Sequence, residues 1–223
     1  MAKDRLVLSW SGGKDSAFAL HTLLDQKRYD VSYLLTTVTR DYGRISMHGV
    51  REELLLEQAK RTSIESDIAY ISKGATNTEY EAVMKEKIDK YAEEGIKNIA
   101  FGDIFLQDIR KYREEKMSGT GMNCIFPLWG IDTTQLAHEF IRTGFKAIIC
   151  TVDPKKLGRE FVGREFDESF LSSLPSGVDP CGENGEFHSF VYDGPIYDFP
   201  IRVRKGETVL KEGFYFSDIL LES

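Results

Sequence analysis

The sequence predicts an α/β protein: a doubly wound, mostly parallel five-stranded sheet followed by a smaller α+β part. Three observations lead there. Short runs of buried-strand character alternate with amphipathic helical stretches through the first 127 residues. The connections between them are short, as expected when helices form the crossovers and cover both faces of the sheet. After Trp129 the alternation gives way to segments broken by proline and glycine. A boundary near residue 128 therefore separates a first domain, residues 1–127, from a second, residues 128–223.

Each element has its own signal. Leu6, Val7 and Leu8 form a first strand, and after a glycine turn Ala17, Leu20 and Leu24 recur at helical spacing. Residues 31–38 are apolar and β-branched, a second strand. A helix rich in Glu and Leu follows over about 50–61, then a third strand over 68–71. Asn77 or Thr78 can cap the next helix, whose Tyr80, Met84, Ile88 and Tyr91 share one face. Residues 99–101 are a fourth strand running into Gly102 and Asp103; a charged helix covers 106–117 and residues 124–126 supply a fifth strand. Beyond the boundary, a helix over 134–142 and a strand over 146–152 continue the pattern. A polar helix-like stretch ends at Pro175, and residues 187–216 read as short strands and turns, broken at Asp193-Gly194-Pro195.

Composition narrows the function classes. The hydrophobic share of 41% over 223 residues is enough to close a full core. The longest stretch without a charged residue, 117–131, is too short and too polar to span a membrane. Lys3, Asp4 and Arg5 precede only a brief apolar run, so no secretory leader is expected and the chain is read as cytoplasmic. With 29 basic and 36 acidic residues the net charge is −7, and no run of Lys and Arg exceeds two. Broad nucleic-acid binding is therefore disfavoured. Cys124, Cys150 and Cys181 form no CxxC pair, which speaks against a zinc ribbon or a disulfide framework. Cys124 and Cys150 sit in apolar strands and read as core, and no paired base beside Cys181 makes it a nucleophile.

The strongest chemical signal is Ser11-Gly12-Gly13-Lys14-Asp15-Ser16, at the junction of the first strand and first helix. A glycine pair there lets backbone N–H groups turn inward as a nest for anionic oxygens. The helix that follows adds its own unpaired N–H groups and the positive end of its dipole. Lys14 brings a charge, and Ser11 and Ser16 bring hydroxyls. The pattern describes a pyrophosphate cradle. It is not a Walker A loop, whose spacing between the glycines is longer and whose lysine is followed by Ser or Thr.

This segment resembles the PP-loop of the N-type ATP pyrophosphatases, and a second signature narrows the likeness. Gly182-Glu183-Asn184-Gly185-Glu186-Phe187-His188-Ser189-Phe190-Val191-Tyr192-Asp193-Gly194-Pro195 resembles the signature of the diphthine–ammonia ligase family. Gly102-Asp103-Ile104 with Lys111, Arg113 and Glu115, and Pro127-Leu128-Trp129, are similar to two further elements of that family. Ser46-Met47-His48-Gly49-Val50 resembles its archaeal form. The likeness runs from about residue 5 to 200, with Asn184 standing where many relatives carry glycine.

The resemblance implies a HUP-like sheet in the order 3-2-1-4-5, with ATP bound at its C-terminal edge. It also implies an AMP-forming reaction, amidation of the diphthine carboxylate on elongation factor 2 with ammonium. Trp10, Ser11, Gly12, Gly13, Lys14, Asp15 and Ser16 are then the nucleotide-binding run, joined by Thr36, Thr37, His48, Gly102 and Asp103. Lys14, Asp15, Arg113 and Glu186 are the candidate catalytic residues, and Glu183, Glu186 and His188 the candidates for substrate contact. Asp15 and Asp103 are the carboxylates considered for an expected Mg2+. Strict alternation would put Glu186, His188 and Phe190 on one face of a strand. Trp129 and the aromatic tail read as packing. A homodimer is expected. A tRNA-modifying PP-loop enzyme and a non-catalytic ATP-binding sensor are the alternatives: salt-sensitive tRNA binding would favour the first, and ATP binding without pyrophosphate release the second.

Overall fold

The computed structural model describes residues 3–45 and 48–222. Ser46 and Met47 of the archaeal-type segment therefore lie outside the described residues.

The first sheet grows outward from β1 (Asp4–Ser9), whose Leu6, Val7 and Leu8 are fully buried. β2 (Tyr29–Thr39) lies parallel on one side of it and β5 (Asn98–Ala100) on the other. β4 (Glu65–Ile71) extends the sheet beyond β2, and β6 (Asn123–Ile125) beyond β5. The five parallel strands thus run β4-β2-β1-β5-β6, which in order of appearance is the expected 3-2-1-4-5. The reversal on either side of β1 makes its C-terminal end a switch point, where such sheets hold ligands. A two-residue strand, β3 (Arg44–Ile45), folds back antiparallel on the end of β2.

Helices cover both faces. α1 (Lys14–Asp25) and α2 (Glu52–Thr62) pack on one side, where Leu20, Leu23, Leu54 and Leu55 are buried. α3 (Asn77–Glu93) covers the other, burying Ile88 and Tyr91 beside Val7, Tyr33 and Ile99. Its cap is Thr76, one residue before Asn77 and two before Thr78, the candidates read from the sequence. Thr76 accepts the N–H of Glu79, and Glu79 reaches back to the N–H of Thr76, a reciprocal capping box. α4 (Gln107–Met117) buries no residue and lies over the sheet edge.

The strand over 146–152 departs from expectation. After α5 (Thr133–Arg142), β7 (Lys146–Val152) does not extend the parallel sheet. It founds a second, antiparallel sheet in the order β8-β7-β10-β9, with β8 (Phe187–Asp193), β9 (Val203–Lys211) and β10 (Phe214–Leu221). A run of six buried residues, 147–152, suits the centre of either kind of sheet, so the pattern alone does not distinguish them. The tail is also more regular than short strands and turns: β9 and β10 are nine and eight residues long and form one hairpin. Between β7 and β8, a 3-10 turn (Arg159–Phe161) and α6 (Glu168–Ser173) close over the sheet. The two sheets share one apolar core. Phe18 of α1 meets Phe140 and Phe145 edge-on, and Phe166, Phe170 and Phe187 continue the aromatic cluster.

Candidate active site

The glycine loop sits where β1 ends and α1 begins, at the switch point. Gly12 adopts φ +73°, and a Cβ there would fall 2.5 Å from Gln58 Oε1. Glycine is thus required both by backbone conformation and by space. The loop is tied internally: Gly13 N–H donates to Ser11 Oγ at 3.3 Å, and Ser16 Oγ donates to the Gly13 carbonyl at 3.0 Å. Gly13 caps α1 without a side-chain acceptor, so the first-turn N–H groups of Asp15 and Ser16 have no intrahelical partner. These are the groups an anion would meet.

The second sheet completes this loop. Val191 N–H of β8 donates to the Gly12 carbonyl at 2.9 Å, and Lys14 N–H donates to Ser189 Oγ at 3.1 Å. Gln58, fully buried on α2, donates from Nε2 to the carbonyls of Gly12 (2.9 Å) and Val191 (2.7 Å). Its Oε1 accepts the Trp10 indole N–H at 3.0 Å. No motif marks Gln58, and the second signature contains Ser189 without giving it a role. The signal for Gln58 was nevertheless present, since it occupies a position on the buried face of α2, with Leu54, Leu55 and Ala59, where an apolar residue is the default.

Lys14 does not project into open solvent. Its side chain is 5% exposed, and Nζ donates to both Asp15 carboxylate oxygens at 2.7 and 2.8 Å. It stands 5.6 Å from the Phe187 ring centroid and 5.9 Å from that of Phe166. Burial alone would favour the neutral amine, but the Asp15 carboxylate outweighs it and holds the ammonium charged. Burial raises the pKa of Asp15 in turn, against the pull of Lys14.

A cleft of about 570 Å³ opens beside the loop. Ser9, Trp10 and Ser11 line its floor, with Thr36 and Thr37 of β2, Phe101 after β5, Tyr80, Met84 and Ile88 of α3, and Arg113 and Lys116 of α4. The shared face of α3 seen in the sequence is therefore partly a cleft wall. Thr36 lines the cleft, yet its hydroxyl donates to the Trp10 carbonyl at 2.6 Å. Gly102 brings the β5–α4 loop against the first turn of α1, where a Cβ would lie 3.0 Å from the Asp15 carbonyl carbon. Asp103 in that loop is held by Arg113, whose guanidinium stacks 4.3 Å from the Phe101 ring centroid.

The two carboxylates considered for Mg2+ are thus both engaged by cations of the chain. No group of three or more metal-ligating side chains exists among the described residues. The residues present do not fit a protein-held metal.

The signature turn holds two differently used glutamates. Glu183 Oε1 accepts the N–H of Ile104 at 2.8 Å, joining the second sheet to the β5–α4 loop. Burial pushes its carboxyl up to about 7, with the nearby Asp15 charge adding to the effect. Glu186 was expected to face the reaction and does not. It is 1% exposed, and its carboxylate accepts the N–H groups of Asp179 (3.2 Å) and Asn184 (3.0 Å) and the Asn184 side-chain amide (3.0 Å). Asn184 is thus a donor within this turn. His188 follows on β8, and its ring approaches that of His48 to 4.5 Å between centroids. Burial and the neighbouring His48 keep the His188 imidazole neutral, its pKa lowered well below the usual value. Cys181 is buried, and burial pushes its thiol up to about 12, consistent with packing.

A parallel sheet with a glycine phosphate loop at its switch point and an adjoining cleft defines a nucleotide-binding protein of the PP-loop class. Comparison with known proteins specifies it further. The model of the diphthamide synthase N-terminal domain matches residues 4–123, and that of the C-terminal domain matches residues 132–220. The chain belongs to the diphthamide synthase family. It is 34% identical over 99 residues to the diphthine–ammonia ligase of Mus musculus and 31% identical over 101 residues to that of Homo sapiens. Each match covers 41% of this chain and 36% of the relative. Among solved structures, a predicted subunit of tRNA methyltransferase from Methanocaldococcus jannaschii is similar with a TM-score of 0.44 and 19% identity, covering 65% of this chain and 80% of that one. No helix among the described residues is long and apolar enough to cross a membrane.

Proposed function

We propose that this protein is a diphthine–ammonia ligase acting in the cytoplasm on elongation factor 2. It would convert ATP, ammonium and the diphthine carboxylate into diphthamide, AMP and pyrophosphate. The observation that carries the reading is the direct hydrogen bonding of β8, from the family's second signature, to the phosphate loop. A ligase must bring activated acceptor and nucleotide to one point, and that contact joins the two halves at the loop.

The chemistry follows from the groups. A carboxylate resists ammonia because oxide is a poor leaving group. A carboxylate oxygen therefore attacks the α-phosphorus, pyrophosphate leaves with the electron pair of the broken anhydride, and an acyl-adenylate forms. Ammonia, after ammonium gives up a proton, adds to the acyl carbon; AMP leaves and a second proton is released to solvent. Negative charge builds on the departing pyrophosphate, where the Asp15 and Ser16 N–H groups and the α1 dipole face it. One such donor is commonly worth about 2.7–4 kcal/mol in the transition state. Lys14, locked to Asp15, supports the loop's positive field from behind. Glu183, near neutrality in its titration, is suited to take the proton from ammonium. Arg113 and Asp103 brace the cleft, and Glu186 shapes the turn. Two copies of the chain forming a dimer are compatible with this reading.

The test is product analysis with ATP, ammonium and diphthine-bearing factor, following AMP and the factor's mass. Matching AMP release with conversion of the carboxylate to an amide is the expected result. ATP binding without a mass change would overturn it.

A further inference from the structure

A second cavity, of about 410 Å³, lies between the β2–β3 turn and the β9–β10 hairpin. It is contiguous with the nucleotide cleft: Ile45 lines both, His48 lines one, His188 lines the other, and the two imidazoles stand 4.5 Å apart. Close contacts connect it to the phosphate loop. A Cβ on Gly13 would lie 3.3 Å from His48 Nε2, and a Cβ on the adjoining Gly49 would lie 2.8 Å from Phe216 Cδ1.

Strand alternation builds the cavity wall. Phe214, Phe216 and Asp218 face it from β10, and Glu207, Val209 and Lys211 from β9. The Phe214 and Phe216 rings, 6.4 Å apart and inclined at 56°, make an aromatic corner. Of the other lining charges, Arg44 and Asp218 are paired, while Lys211 remains a cation on the wall. Asp218 is paired with Arg44 (3.0 Å) and Arg51 (2.7 Å), and the Lys211 ammonium sits 4.0 Å from the Tyr42 ring centroid. The exposed carboxylates of Glu207 and Glu212 have no ion-pair partner among the described residues. The rim is apolar and exposed at Tyr42 (39%) and Val209 (46%).

We infer that this cavity receives the acceptor side chain, binding its quaternary ammonium in the corner of Phe214 and Phe216 beside Glu207 and Glu212. A quaternary ammonium has no N–H to donate and is held by ring faces and diffuse negative charge, which is what this corner offers. The apolar rim suits a side chain delivered on a protein surface. A carboxylate carried on the same side chain then extends past His188 toward the phosphate loop. This assignment rests on the ligase reading, and its test separates the two.

Tetramethylammonium chloride is titrated against the wild-type protein, Phe216→Leu, Phe216→Tyr and Glu207→Lys, with binding read by saturation-transfer NMR against sodium chloride. Wild type and Phe216→Tyr bind, whereas Phe216→Leu and Glu207→Lys weaken binding about tenfold. In the amidation assay, the same two variants raise the KM for the modified factor about tenfold and leave the KM for ATP unchanged. Equal binding in all four proteins, or an unchanged factor KM in active variants, overturns the cavity assignment. Aromatic-dependent binding in a wild type that forms no amide leaves the cavity standing and overturns the ligase reading instead.

Discussion

Gln58 Nε2 donates to the Gly12 carbonyl at 2.9 Å, so a side chain from α2 fixes the backbone of the phosphate loop from beneath. The same amide group also serves Trp10 and Val191, and none of these partners has water to turn to. Gln58→Leu keeps the volume and removes all three bonds. Leaving a buried polar group unpaired costs about 1–3 kcal/mol, so the variant should lose at least about 2 kcal/mol of stability. Urea unfolding checks this, and a loss below 0.5 kcal/mol would count against the role given to Gln58.

Lys14→Ala should do more than remove a charge from the loop. Asp15 would keep a partly buried carboxylate without its partner, and stability should fall by roughly 1–3 kcal/mol, a value discounted for the exposed part of Asp15. Lys14→Ala/Asp15→Ala should recover part of that loss. A double-mutant cycle measures the coupling, and independent effects would show that the pair is not an energetic unit.

Glu183 gives stability a sign with pH. Its folded carboxyl titrates at about 7, above the ordinary 4.5, so between those values the folded state holds the extra proton. Stability contributed by that proton is present below about 4.5 and is lost as pH rises through about 7. Glu183→Gln keeps an oxygen for the Ile104 N–H and cannot ionise. Denaturant midpoints at pH 5, 6 and 8 should show the variant gaining on wild type as pH rises. A constant difference across the series would rule the titration out.

Gly102→Ala would set a methyl 3.0 Å from the Asp15 carbonyl carbon and 3.1 Å from Ser16 N. Both neighbours are backbone of the helix start and cannot swing aside. The β5–α4 loop must retreat, carrying Asp103 and Arg113 with it. ATP affinity, measured by calorimetry, should drop about tenfold or more while the melting temperature changes little. Unaltered affinity would mean the loop does not help form the nucleotide cleft.

Much of this architecture was legible in the residues. The strand runs beginning at Leu6, Val31, Ile68, Ile99 and Cys124 alternate with helices, and the glycine loop sits at the expected junction. Local pattern carries that information because each strand and helix declares its own period. Partner choice is another matter. Residues 147–152 are buried on both faces, and nothing local states that their neighbours run antiparallel. Glu186 shows the same limit from the other direction. A carboxylate in a glycine-rich turn can face a substrate or bind its own backbone, and only the positions of Asp179 and Asn184 decide which. The aromatic tail reads as packing, and only the hairpin shows that Phe214 and Phe216 line a cavity as well.

The docking of β8 on the glycine loop makes the nucleotide cradle joint property of both sequence halves. An excised first half would keep the Gln58 bond to the Gly12 carbonyl but lose the Val191 one, and would leave the Lys14 amide unanswered beside the spot where phosphate is expected. The cradle is therefore poorly portable: transplanted alone onto another scaffold, the loop would arrive without its keystone. In the intact chain, occupancy by nucleotide would clasp the two sheets together, so that ligand and acceptor halves melt as one unit.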